Sequence, residues 1–137
     1  MTTHIESART AAGTDALLRL VLRVDGVASG LSGVGALAGV GFLPGLLGTP
    51  PSLLVPAGVF LLVWAAALGY LSTRTRMAPV AVWVVIGANL LWVADSVLTA
   101  FAGWFPLTGL GVGYLLLQAA AVLVFAELQY VGLRRTR

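Results

Sequence analysis

The stretch Met77–Gly103 decides the fold: MAPVAVWVVIGANLLWVADSVLTAFAG. Spanning a bilayer takes about 20 mostly apolar residues in a helix, so this stretch is long enough and apolar enough to cross one. It also carries polar side chains three and four residues apart, which a helix places on one side. These are Asn89, Trp92, Asp95, Ser96 and Thr99. Because lipid cannot hydrogen-bond such groups, we expect this side to face other helices or a water-filled cavity.

The composition of the whole chain fits a membrane protein. Of the 137 residues, 59% are hydrophobic and 9% are charged, and the mean hydropathy is +0.99. Soluble domains carry about 25% charged residues, so a soluble fold would lack a polar coat. The sequence pI is about 10.2, but the basic residues stand at segment ends and form no patch, which argues against a nucleic-acid partner.

Four apolar stretches are separated by turn-rich or basic segments, and they predict an all-α, polytopic membrane protein with four transmembrane helices in an up-down bundle. We divide the chain into an amino-terminal arm, residues 1–13, and a transmembrane domain, residues 14–137. The predicted spans cover residues 20–43, 52–72, 78–103 and 107–133.

The basic residues predict the orientation. With four spans, all eight arginines fall on one side of the bilayer, and the positive-inside rule makes that side cytoplasmic, together with both termini. The chain has no lysine and is rich in Ala, Gly, Val and Leu, which is typical of GC-rich bacteria and indicates a bacterial inner membrane. We expect Glu127 to pair with one of the arginines at this interface. The predicted inner-interface charges are Arg19, Arg23, Arg74, Arg76, Glu127 and Arg134.

Small residues predict close helix packing. The first span has glycines on two faces, which indicates a helix between two neighbours, or between a neighbour and another subunit. This pattern predicts contact with lipid and is typical of a helix that also contacts a second copy of the chain, in a homo-oligomer, or a membrane partner protein. The predicted packing glycines are Gly26, Gly30, Gly33, Gly35, Gly39, Gly109 and Gly113.

The polar residues inside the spans are candidates for function. Asp95 is foremost, because an intramembrane carboxylate is costly and should face inward, either as a proton- or cation-responsive group or as a hydrogen-bonded interior residue. Asn89 and Gln118 are expected either to bond each other and fix helix register, or to line one pocket suited to an amphiphilic or cationic ligand. That ligand or transport path would comprise Asn89, Trp92, Asp95, Ser96, Tyr114 and Gln118. Asp25, Ser29 and Ser32 form a separate short polar edge.

Motifs for catalysis are not found. The single histidine, His4, has no companions for a metal site, and the serines of the bundle have no histidine base. There is no cysteine, and no glycine-rich phosphate loop. The sequence therefore predicts a protein that is not an enzyme and needs no cofactor or metal.

In length and four-span plan the chain is similar to the small multidrug resistance transporters. That family has an essential membrane-embedded Glu in its first helix, which has no counterpart here; Asp25 is the only acid in the first span, and its Gly/Ser context differs. The chain also resembles small four-helix integral membrane proteins of GC-rich bacteria, in plan and composition alone. This second resemblance implies the fold and no activity.

Three functions agree with these observations. The sequence favours an accessory or structural membrane protein that acts through helix–helix association. A small oligomeric transporter or channel that uses Asp95 is the second hypothesis. A binder of a lipid or another hydrophobic ligand in the bundle interior, beside Trp92, is the third.

Overall fold

A computed structural model describes the backbone of residues 2–135 and the side chains of residues 16–135. This part of the chain is helical and contains no strand, and four of its helices are long and apolar enough to span a membrane. The predicted all-α fold with four membrane helices is therefore confirmed. The helices are α1 (Thr2–Ala38), the short α2 (Leu43–Leu47), α3 (Pro51–Thr73), α4 (Pro79–Phe101) and α5 (Gly109–Arg135).

The helix ends follow from proline and glycine. Pro51 and Pro79 stand at the first positions of α3 and α4, where a missing N–H removes no helical hydrogen bond. Gly48 ends α2 with φ of 75°, and Gly103 follows α4 with φ of 76°; both conformations favour glycine.

The first span differs from its predicted boundaries. The helix α1 ends at Ala38, and a turn separates it from α2, so the predicted span of residues 20–43 is interrupted before its end. Gly39 and Gly41 weaken the helix at this point, and Pro44, which has no N–H to donate to the preceding turn, begins a new helix instead of continuing α1. At its start, α1 is one continuous helix from Thr2, which includes the backbone of the predicted arm. The candidate span within α1 is Ala16–Ala38.

Helices α1 and α5 form the middle of the packing: α1 packs against α3 and α5, and α5 also packs against α4 and the short α2. The glycine face of α1 makes the contact with α3. A Cβ atom at Gly33 would lie 2.8 Å from the carbonyl oxygen of Gly58, and one at Gly26 would lie 3.4 Å from Cβ of Leu68. The glycines of this face therefore let two helices of the same chain approach closely.

The other predicted packing glycines have different surroundings. A Cβ atom at Gly35, Gly109 or Gly113 would meet nothing within 4 Å, and one at Gly39 would meet Leu43 of the next segment. Gly111, which the sequence did not single out, lies against the backbone of Leu47 and has no room for a Cβ atom. On this second face of α1, Gly39 therefore lies against Leu43 of α2, and Gly35 has open space beside it among the described residues.

One end of the bundle, here called the arginine end, carries Arg19, Arg23, Arg74 and Arg134. The Arg19 guanidinium donates to the carbonyl oxygens of Ser72 and Thr75, each at 2.9 Å, and so joins α1 to the end of α3. Arg74 and Arg134 lie over the rings of Tyr70 and Tyr130, and Arg76 is exposed. Most of the buried apolar core lies in this half of the bundle: Leu18, Leu22, Leu68, Val82, Val85, Ile86 and Leu133.

Glu127 differs from its expected role. Its side chain is exposed, and it makes no ion pair with another described residue. The expected pairing with Arg134, Arg23 or the Arg74–Arg76 loop is therefore not formed. At the opposite end of the bundle, the backbone N–H of Thr108 donates to the carbonyl of Leu47 at 3.0 Å, which joins α2 to the start of α5.

Candidate functional site

Four polar side chains from three helices meet inside the bundle and form what we call the buried polar cluster: Asp25 and Ser29 of α1, Asn89 of α4 and Gln129 of α5. The exposed fractions of Asp25, Asn89 and Gln129 are 1%, 4% and 0%. The Oδ2 atom of Asp25 accepts hydrogen bonds from Nδ2 of Asn89 at 2.9 Å and from Nε2 of Gln129 at 2.8 Å. Nδ2 of Asn89 also donates to Oε1 of Gln129 at 3.0 Å, and the Ser29 hydroxyl donates to Oδ1 of Asp25 at 3.2 Å.

Two expectations from the sequence are wrong for the residues of this cluster. Asn89 does not bond Gln118; instead, Oε1 of Gln118 accepts from the indole N–H of Trp92 at 2.8 Å. Asp25 is not part of a separate polar edge but the acceptor at the centre of the cluster. Gln129 was not among the predicted site residues. A signal for the Asp25–Asn89 contact existed, since these residues lie about 14 and 15 Å from the first residues of their candidate spans, Ala16 and Pro79, at 1.5 Å per residue.

A small cavity lies beside the cluster. Its volume is about 20 Å³, enough for a single water-sized species, and its walls include Asp25, Ser29 and Asn89. Aromatic rings form another part of the wall. Phe60 stacks on Trp64 and on Trp92, with ring centroids 6.0 and 5.8 Å apart. The cavity is therefore polar on one side and aromatic on the other.

A much larger groove occupies the half of the bundle away from the arginine end. Its volume is about 750 Å³, within the range of small-molecule sites, and most of its lining is apolar. The structure brings five of the six predicted path residues into its wall: Trp92, Asp95, Ser96, Tyr114 and Gln118. The sixth, Asn89, belongs to the buried polar cluster instead.

Asp95 is the one acidic residue in the described wall of this groove. It lies six residues before the end of α4, about 9 Å along the helix, and it is exposed within the chain. It forms no hydrogen bond or ion pair with another described residue. Thr49, also in the wall, is 5% exposed, and its Oγ1 atom is the one buried side-chain oxygen or nitrogen of the described residues without a hydrogen-bond partner.

The arrangement of the helices leaves the groove open on one side. α3 and α4 both contribute to its wall, but they do not pack along their lengths; they meet through the ring stack of Phe60 and Trp92. In a membrane, a gap between two spanning helices faces the lipid. The groove therefore lies beside a gap between two candidate membrane spans.

No known family model, curated protein or solved structure matches this chain. The four long apolar helices are compatible with a small membrane protein.

Proposed function

We propose that this protein is a non-enzymatic membrane protein that binds, in its groove, a single-chain amphiphile with a cationic head group. The observation that carries the proposal is the carboxylate of Asp95, the one charged group in the described wall of a mostly apolar groove of about 750 Å³. Such a cavity takes an alkyl chain, and one charged side chain fixes its head.

The charge of Asp95 favours a cation as the head group. An ionised carboxylate within a membrane span is unfavourable unless it is paired, and a cationic head group supplies the missing partner. Four aromatic residues share the wall with Asp95: Phe42, Trp92, Tyr114 and Phe125. Aromatic faces attract ammonium groups, which adds to the same preference.

The distribution of arginine argues against a phosphate in the ligand. Recognition of a phosphate group usually requires Arg or Lys, and the stretch between Arg23 and Arg74, like that between Arg76 and Arg134, contains neither. The groove lies away from the arginine end, so a phospholipid head would place its phosphate near Asp95 without a cationic partner. We therefore propose a simple ammonium amphiphile as the occupant.

The other hypotheses have less support. Association through the glycine face of α1 is less favoured, because Gly26 and Gly33 are used against α3 of the same chain. Transport would use the same groove, but it also needs a path to the other side of the membrane. The groove supports only the binding of a ligand. On the arginine distribution alone, we propose a bacterial inner membrane with both termini cytoplasmic.

The test is binding of dodecyltrimethylammonium to the full chain in lipid nanodiscs, followed by native mass spectrometry and titration calorimetry. We expect one bound copy, with at least about tenfold higher affinity than for neutral dodecyl maltoside or zwitterionic dodecylphosphocholine; tenfold corresponds to about 1.4 kcal/mol. Asp95→Asn should abolish this preference for the cation.

Glu127→Gln is the matched control, since Glu127 is also an exposed carboxylate of a spanning helix but lies outside the groove. This variant should keep the wild-type affinity. Equal affinities for the three amphiphiles, or equal losses in the two variants, would contradict the proposal.

A further inference from the structure

The buried polar cluster contains one acidic group and no basic one. Three donors point at the Asp25 carboxylate, from Ser29, Asn89 and Gln129, and all three are neutral. Asp25 forms no ion pair with any residue that the structure describes. Neutral donors reduce the free-energy cost of burying a carboxylate, but they provide no positive charge to balance it. In a low-dielectric surrounding, the cost of an unbalanced charge is large.

The cavity beside the carboxylate has the size and the oxygen atoms of an ion site. Its volume of about 20 Å³ suits one small species. The hydroxyl of Ser29 and the side-chain carbonyl of Asn89 belong to residues of its wall, together with Asp25. The carbonyl oxygen of Asn89 accepts no hydrogen bond from a described residue, because Asn89 takes part in the cluster through Nδ2. Hard cations prefer carboxylate, carbonyl and hydroxyl oxygens of this kind.

We propose that this cavity binds one dehydrated or partly dehydrated monovalent cation of the size of Na⁺, held by Asp25, Ser29 and Asn89. A single carboxylate balances one positive charge, whereas a divalent ion would leave a net charge buried in the bundle. Phe60, Trp64 and Trp92 are also part of the cavity wall, and aromatic faces attract cations.

The site would link two helices, α1 and α4, that are distant in sequence. Asp25 and Ser29 belong to α1 and Asn89 to α4, so a bound cation adds a contact between these two helices. Ser29 and Trp92 also line the large groove, so the cation reaches the cavity from that side. The proposal does not depend on what the groove binds.

The test uses the full chain in nanodiscs at fixed pH and ionic strength, with NaCl replaced stepwise by N-methyl-D-glucamine chloride. Binding is measured with radioactive ²²Na⁺ in a scintillation proximity assay, and thermal unfolding is recorded in parallel. We expect saturable binding of one Na⁺ and a rise in the melting temperature over the same range. Asp25→Asn should abolish both effects, and Glu127→Gln should change neither.

Ser29→Ala is a second variant that tests the site if Asp25→Asn does not fold. This variant keeps the three side chains of α1, α4 and α5 that bond one another, and it removes one oxygen ligand. We expect it to fold and to weaken Na⁺ binding at least about fivefold. The proposal is overturned if the wild type binds no Na⁺ saturably, if folded Asp25→Asn or Ser29→Ala binds it as well as the wild type, or if stability changes with pH but not with Na⁺.

Discussion

Nδ2 of Asn89 lies 2.9 Å from Oδ2 of Asp25, a residue 64 positions earlier in the chain. This hydrogen bond joins α4 to α1, two helices that do not pack along their lengths. Gln129 of α5 completes the connection through its own bond to the same oxygen. In lipid, where burial of apolar surface does not drive helix association, such bonds and close packing fix the arrangement of the helices.

The Asp25–Asn89 bond predicts energetic coupling between two distant residues. In a double-mutant cycle of Asp25→Ala and Asn89→Ala, we expect a coupling of about 0.6 to 1.7 kcal/mol, the range of hydrogen bonds between membrane helices. The free energy of unfolding is measured by steric trapping in bicelles. The cycle of Asn89→Ala with Gln118→Ala is the control, because these residues are not bonded, and it should be additive within about 0.5 kcal/mol. Additivity in the first cycle would refute the role of the cluster.

The contact between α1 and α3 predicts opposite results for two glycines two positions apart. Gly33→Ala should lower the free energy of unfolding by about 1 to 3 kcal/mol, because the new Cβ atom would lie 2.8 Å from the carbonyl oxygen of Gly58. Gly35→Ala should leave stability unchanged or raise it by up to about 1 kcal/mol, since its Cβ atom meets nothing within 4 Å and alanine favours the helix. The same trapping assay measures both. Equal effects would show that these helices are packed differently.

Two threonines near the opposite end of the bundle form a second matched pair. The Oγ1 atom of Thr49 is buried without a partner, so Thr49→Val should raise the free energy of unfolding by about 1 kcal/mol. Thr108 directly precedes α5, and its hydroxyl accepts from the N–H of Gly111 at 3.0 Å and donates to the carbonyl of Leu46 at 2.9 Å. Thr108→Val should therefore lower the free energy of unfolding by about 1 to 2 kcal/mol. Thermal unfolding in nanodiscs ranks the two variants, and the reverse order would contradict the hydrogen bonds described.

The shape of the groove predicts that its volume can be blocked without a change of charge. Gly35 lies in the groove wall with open space beside it, so Gly35→Phe should place a ring where the alkyl chain lies and weaken dodecyltrimethylammonium binding at least about tenfold. Gly113 is also exposed with open space but is not part of the wall, so Gly113→Phe is the control and should bind as the wild type. Calorimetry in nanodiscs measures both. Undiminished binding by a folded Gly35→Phe variant would place the ligand elsewhere.

Composition and segment length were enough to predict the class of fold. Four apolar stretches of spanning length require four helices, because every backbone group in lipid must find its hydrogen bond within its own segment. The prolines at the starts of α3 and α4 locate those ends within a residue or two. The groove wall was also partly predictable, since Trp92, Asp95 and Ser96 are close neighbours on α4.

Which polar residues meet across helices was decided only by the tertiary structure. A hydrophobic pattern says which residues share a face, but in these helices most faces are apolar, so the pattern does not fix the rotation or the neighbour of each helix. Asn89 therefore had several equally suitable partners, and the packing of α5 against both α1 and α4 selected Asp25 and Gln129. The sequence alone determined that this chain has four segments long and apolar enough to cross a membrane as helices. The tertiary structure decided where the carboxylates and the cavities of the protein lie. Their positions follow from the close approach of helices at glycines, which depends on the relative depth and rotation of the helices.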